Sequence, residues 1–150
     1  MASRPLFVSG WQVEGIKSAG KFFSVLTEVL PLPVYLYFEG DTIAADVRSL
    51  LASSAVVPVH EILRATIWPK PSIFHVLATK QFIHELAVVA AKHAEPEVCD
   101  HFHAYSDSRV LMQWYDAFSD PLLIDESIIE ASLHSFCKKL GAQYSPWHAT

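Results

Sequence analysis

The chain has 150 residues, 51% of them apolar and 18% charged, with a mean hydropathy of +0.25. That supply of apolar side chains excludes disorder as a whole-chain description, and a chain this long buries enough surface to stand without a metal or a disulfide. Sixteen acids against eleven bases give a formal charge of -5 and a pI near 5.8, the wrong sign for a binder of nucleic-acid backbones.

One compact domain over residues 1–150 is expected, since no repeat or low-complexity block interrupts the chain. A short strand is expected at Leu6–Ser9. A helix follows at Ala19–Leu30, with Phe22, Val25, Leu26 and Val29 inward. Val34–Phe38 is a β-branched and aromatic run, apolar on both faces, as in a central strand covered on both sides. Asp41 caps a predicted helix over Thr42–Ala52, whose Ile43, Val47, Leu50 and Leu51 face the core.

Residues 57–68 read two ways, as a strand over Leu63–Ile67 or as a short helix after Pro58. The stiff Trp68-Pro69-Lys70-Pro71 segment then leads into a strand at Ile73–Leu77. Thr79 caps a helix from Lys80 to His93, which Pro96 keeps short. Strands at Val98–Tyr105 and Val110–Tyr115 flank a hairpin turn at Ser106–Arg109. The last helix, Ile128–Leu140, carries a Ser127/Glu130 capping box, basic Lys138 and Lys139 in its final turn, and Gly141 as its left-handed stop. The expected fold is mixed α/β of the α+β kind. It has a single mixed β-sheet of five or six strands with about four packed helices, the Ala19 helix crossing over between parallel strands.

Two cysteines, Cys99 and Cys137, are read as reduced and buried. The first ten residues contain no apolar signal region, and the longest apolar run, Val29–Phe38, is ten residues with two prolines inside it. A spanning helix needs about twenty. A cytoplasmic protein that does not enter a membrane is expected.

Charge is concentrated in one stretch. Nine acids between Glu95 and Glu130 face one base, Arg109, while the other residues hold ten bases and seven acids. A field of one sign steers a basic partner, so the leading reading is a small binding or protein-interaction domain with an acidic hairpin region. Its occupant would be a protein partner or a small ligand. Turn and cap duties for Asp107, Asp120, Asp125 and Glu130 are the plainer explanation of the same acids.

Within that stretch, Cys99, His101 and His103 alternate, and on a strand they would share a face. Thiolate and imidazole suit Zn²⁺ or another divalent metal, and Asp116 would serve as a ligand or general base. This is the alternative reading, a metal-dependent, hydrolase-like enzyme; otherwise no cofactor is expected. Trp114, Tyr115, Phe118 and Asp120 form the densest aromatic segment and would wall a ligand pocket, or else anchor the hairpin to the core.

Gly15, Gly20 and Lys21 fit the glycine and lysine positions of a P-loop, but Phe22 stands where a hydroxyl must hold Mg²⁺, so a bare anion site is the most this loop offers. His84-Glu85 lacks the second histidine of a zinc-protease helix, because position 88 is Val. Protonating all eight histidines would carry the formal charge from -5 to +3, so association should respond to mild acid. Trp11 and Trp147, if uncovered, would point to a homodimer.

Overall fold

The computed structural model describes residues 8–59, 62 and 64–150. Among them the chain runs β1 (Ser9–Glu14), α1 (Ala19–Ser24), β2 (Val34–Gly40), α2 (Ala45–Ser53), β3 (Ser72–Ala78), α3 (Lys80–Ala90), β4 (His101–Tyr105), β5 (Val110–Trp114), β6 (Leu122–Asp125), α4 (Glu130–Leu140) and β7 (Gln143–His148). Single 3₁₀ turns lie at Leu26–Glu28 and Glu95–Glu97.

The strands form one sheet in the order β3-β2-β4-β5-β6-β1-β7, and every pairing is antiparallel. The sheet therefore has seven strands rather than five or six, and it is not mixed. The two additional strands are β6, only four residues long, and β7, whose Pro146 is tolerated because the strand lies at the sheet edge. β1 and β2, joined through α1, do run in the same direction. Three strands separate them, so they do not form the expected parallel pair.

Side-chain alternation divides the sheet into two faces. Leu36 and Phe38 of β2, Phe102 and Ala104 of β4, Met112 and Trp114 of β5 and Ile124 of β6 turn to the helices. Phe22 and Phe23 of α1, Phe82 and Leu86 of α3, and Leu133 and Phe136 of α4 complete that core. Phe22 packs between Phe102 and Trp114, with ring centroids 5.6 and 4.8 Å away.

Several helix bounds depart from expectation. α1 ends at Ser24, whose hydroxyl donates to the Lys21 carbonyl at 2.7 Å, and the β-branched Val25, Thr27 and Val29 favour the looser turn that follows. α2 begins after Ala44, since the Asp41 amide donates to the Asp100 carboxylate instead of opening a helix. The α4 cap is Ile129; the Ser127 amide donates to Asp125, and Glu130 accepts from the Tyr144 hydroxyl at 3.0 Å. Thr79 does cap α3, accepting from Phe82 N at 3.2 Å, and Gly141 ends α4 at φ 67°. Ser106 closes the β4–β5 hairpin as read, its amide donating to the Arg109 carbonyl at 2.9 Å.

The first strand is Ser9–Glu14 rather than Leu6–Ser9; Leu6 and Phe7 lie outside the described residues, as do His60, Glu61 and Leu63. The described part of 57–68 contains neither a strand nor a helix. Instead Val56 N donates to the His75 carbonyl at 2.8 Å, which covers part of the free edge of β3, and the chain then passes over the sheet face opposite the helices.

Two glycines carry structural duties of different kinds. An added methyl at Gly141 meets open space and suffers only the positive φ, so Gly141→Ala should cost about 1 kcal/mol. A methyl at Gly20 would lie 2.7 Å from the Ala91 Cβ, where α1 meets the end of α3. Gly20→Ala should therefore cost about 1–3 kcal/mol despite alanine's better helix propensity. Urea denaturation midpoints read both; a neutral Gly20→Ala would show that the two helices part by a few tenths of an ångström at no cost.

Candidate functional site

The sheet face opposite the helices is built from the alternate residues of the same strands. Tyr35, Tyr37 and Glu39 of β2 stand opposite Tyr105, His103 and His101 of β4, with His75 and Gln113 continuing the Tyr37–His103 row to either side. The imidazole of His103 stacks on Tyr37 at 5.2 Å, and Tyr115 meets it edge-on at 4.6 Å. Tyr35 stacks on Tyr105 at 5.2 Å, and the Tyr105 hydroxyl lies 2.6 Å from His75 Nδ1.

Glu39 is fully buried at the end of this face where β4 begins. Its carboxylate accepts from the Tyr37 hydroxyl at 2.5 Å and from the backbone amides of Ala65 and Thr66 at 3.0 and 2.6 Å, and His101 Nε2 lies 4.0 Å away. These bonds tie residues 65–66 down over the sheet, and Ile62 is buried beside Tyr37 and Tyr105. Burial, reinforced by the bond to Glu39, pushes the Tyr37 phenol well above its ordinary range, so it stays a donor.

Both histidines of β4 accept backbone amides through Nδ1, His101 from Asp116 at 3.0 Å and His103 from Trp114 at 3.2 Å. The proton of each neutral ring is therefore on Nε2. His101 Nε2 donates to Thr66 Oγ1 at 3.2 Å, whereas His103 Nε2 is buried with no partner among the described residues. Burial, aided by the neighbouring His101, holds the His103 imidazole down at about 3, and burial also lowers His75. Both Nδ1 atoms are thus engaged by backbone amides, and burial raises the phenols of Tyr37, Tyr105 and Tyr115.

The sequence-derived metal set is not brought together. His101 and His103 share the face described above, but Cys99 precedes β4 and packs in the hydrocarbon core, where burial pushes its thiol far above the thiolate range. Alternation fails there because the 3₁₀ turn at Glu95–Glu97 delays the strand until His101. Among the described residues no three His, Cys, Asp or Glu side chains are gathered to hold a metal ion. Asp116 lies past the end of β5, exposed, at φ 49°.

The aromatic segment is likewise divided. Trp114 and Phe118 pack together at 4.5 Å against the core, the Trp114 indole donating to the Asp120 carbonyl at 2.6 Å, while Tyr115 turns to the opposite face. Gly15 lines a narrow cleft beside Trp114, Phe118 and Asp120 together with Glu14, a carboxylate that repels anions. Gly20 is buried against Ala91 and Lys21 is exposed, so the three residues proposed for an anion do not converge.

The turn from Tyr115 to Pro121 separates two larger cavities. The first, about 320 Å³, is lined by Asp100, Asp116 and Asp120 together with His101, Thr66 and Cys99. Desolvation raises the Asp100 carboxyl above its ordinary value, and the bond from the Asp41 amide only partly offsets this. The second, about 250 Å³, lies on the open sheet face between Tyr115 and Trp147. Glu39, Thr66, Gln12 and Gln113 escaped the sequence reading; the one available signal was the repeat Tyr35, Tyr37, Glu39, whose alternation matches that of His101 and His103.

No family model, curated protein or solved structure matches the chain.

The buried neutral histidine makes stability depend on pH. His103 takes up a proton near 6.5 when unfolded but only near 3 when folded, so acid favours the unfolded chain. Its contribution is complete above about pH 6.5 and is lost progressively from there down to about pH 3. Between pH 6.5 and 5 the loss from this group should be about 2 kcal/mol. His103→Gln should lower stability at neutral pH yet flatten the dependence below pH 6.5, as read by urea denaturation over a pH series; an unchanged slope would assign it to other groups.

Proposed function

We propose that the chain is a binding domain that receives a basic side chain of a protein partner in the cavity lined by Asp100, Asp116 and Asp120. The carrying observation is the lining itself: three carboxylates and no Lys or Arg among the described residues. A guanidinium or ammonium entering there would meet carboxylates on two sides and would relieve the desolvated Asp100.

This reading narrows the acidic stretch to part of its length. Asp107 and Glu126 lie at the opposite end of the sheet from Asp100, and Asp125 is paired with Arg109 at 2.9 Å.

A fluorescein-labelled oligo-arginine peptide provides the test by anisotropy. Binding should weaken as ionic strength rises. Asp116→Asn with Asp120→Asn should weaken it about tenfold or more, while Asp107→Asn with Glu126→Gln, which removes the same charge at the far end, should change it little. Equal losses from the two double variants would reduce the effect to net charge and overturn the cavity as the site.

A further inference from the structure

The exposed apolar side chains are gathered rather than scattered. Among the described residues ten large ones are exposed, and seven of these lie at residues 56–59, at Ile67 and Trp68, and along β3. Scattered singly they would need no explanation; gathered, they mark a surface that another molecule covers. Trp68 is the extreme case at 86% exposure, and Ile67 before it stands at 62%. Pro69 and Pro71 fix φ on either side of Lys70, so the backbone that carries the indole has little freedom left to lose.

This strip adjoins the acidic cavity. Thr66 lines the cavity wall, and its amide donates to Glu39 at 2.6 Å. Ile67 and Trp68 follow directly in the chain, which keeps the Trp68 Cα within about 7 Å of the Thr66 Cα. Ile73 stands opposite Glu39 in the β2–β3 register, on the same face, and extends the apolar strip along β3. Beyond it the charge reverses: Arg48 donates to Ser72 Oγ at 2.7 Å, and Lys70 is exposed. Across this surface carboxylates give way to apolar side chains, and these to bases.

Resting on the cavity reading above, we infer that the partner is an amphipathic basic segment, which places a Lys or Arg among Asp100, Asp116 and Asp120 and a neighbouring apolar side chain against Ile67 and Trp68. Side chains two apart on an extended segment, or four apart on a helix, stand about 5–7 Å from one another, which matches the step from the cavity wall to the indole. A second copy of this chain fits poorly, because an isologous contact over the strip would bring Lys70 and Arg48 toward their own counterparts. A uniformly basic segment fits poorly too, since its charges beyond the cavity would meet Lys70 and the apolar strip would stay uncovered.

Two fluorescein-labelled peptides separate the halves of the site by anisotropy: six arginines alone, and six arginines followed by three leucines. The leucines should tighten binding about tenfold. Trp68→Ala should remove that gain and leave the affinity for six arginines unchanged, whereas Trp68→Phe should keep most of the gain. Ile129→Ser, which removes a side chain 68% exposed elsewhere, should leave the gain intact. With the unlabelled leucine peptide, acrylamide quenching of tryptophan fluorescence should fall in the full chain and stay constant in Trp68→Phe. No binding of six arginines would overturn the cavity reading and this inference with it. If six arginines bind and the leucines add nothing, or add as much in Trp68→Ala, the inference alone is overturned. A Trp68-dependent dimer in sedimentation velocity, or Trp68-dependent pelleting with phosphatidylserine vesicles, would give the strip another occupant and overturn it equally.

Discussion

A carboxylate without solvent contact is a demanding group to place, and Glu39 sets much of the architecture around it. Dehydrating the acid costs several kcal/mol unless hydrogen bonds replace the lost water. Here three donors do so, one from its own strand and two from the backbone at residues 65–66. A segment with no regular structure of its own is thereby fixed against a sheet. In return it shields Tyr37 and the carboxylate itself. Neither half is satisfied without the other, because the amides of Ala65 and Thr66 would otherwise be half-buried donors lacking a partner.

The same requirement explains why the imidazoles of β4 are structural. On an antiparallel ladder, strand amides that no longer face a carbonyl must find another acceptor. At the end of β5 and just past it, the amides of Trp114 and Asp116 turn to His103 and His101. Imidazole nitrogens thus stand in for missing carbonyls, which lets the chain bend sharply into the 115–121 turn. The stack of Tyr37, His103 and Tyr115 fills the space between strands and makes the face aromatic rather than aliphatic.

What could be read from the residues depended on how local the determining force was. The Thr79 cap, the Gly141 stop and the Ser106 turn each rest on contacts within four residues, and each stands as expected. The shared face of His101 and His103 follows from strand alternation alone. Cys99 failed because a 3₁₀ turn two residues upstream shifts where alternation begins, and Val98 and Cys99 both pack in the core before the strand starts. β7 was hidden by Pro146, acceptable only at an edge whose existence depends on the whole strand order. Glu39 was the least legible, since its partners lie 26 and 27 residues ahead in a stretch without periodicity. The groove between Tyr115 and Trp147 belongs to the same class, being assembled from four strands by register and from no motif.

The turn after β5 is where these constraints meet. Asp116 and Phe118 both hold positive φ, at 49° and 70°, each costing about 1–3 kcal/mol in residues other than glycine. Five bonds hold the turn in place: Asp116 N to His101 Nδ1, Ala117 N to the Asp100 carbonyl, Ser119 N and Asp120 N to the Asp116 carbonyl, and the Trp114 indole to the Asp120 carbonyl. Trp114 is itself packed in the core against Phe22, so the backbone of Asp120 is anchored to the core. Its carboxylate is left exposed where the acidic cavity and the neutral groove adjoin. A side chain presented this way loses little conformational freedom when a ligand arrives, so more of the contact energy is retained as affinity. The strained backbone thus places Asp120 where the two cavities adjoin.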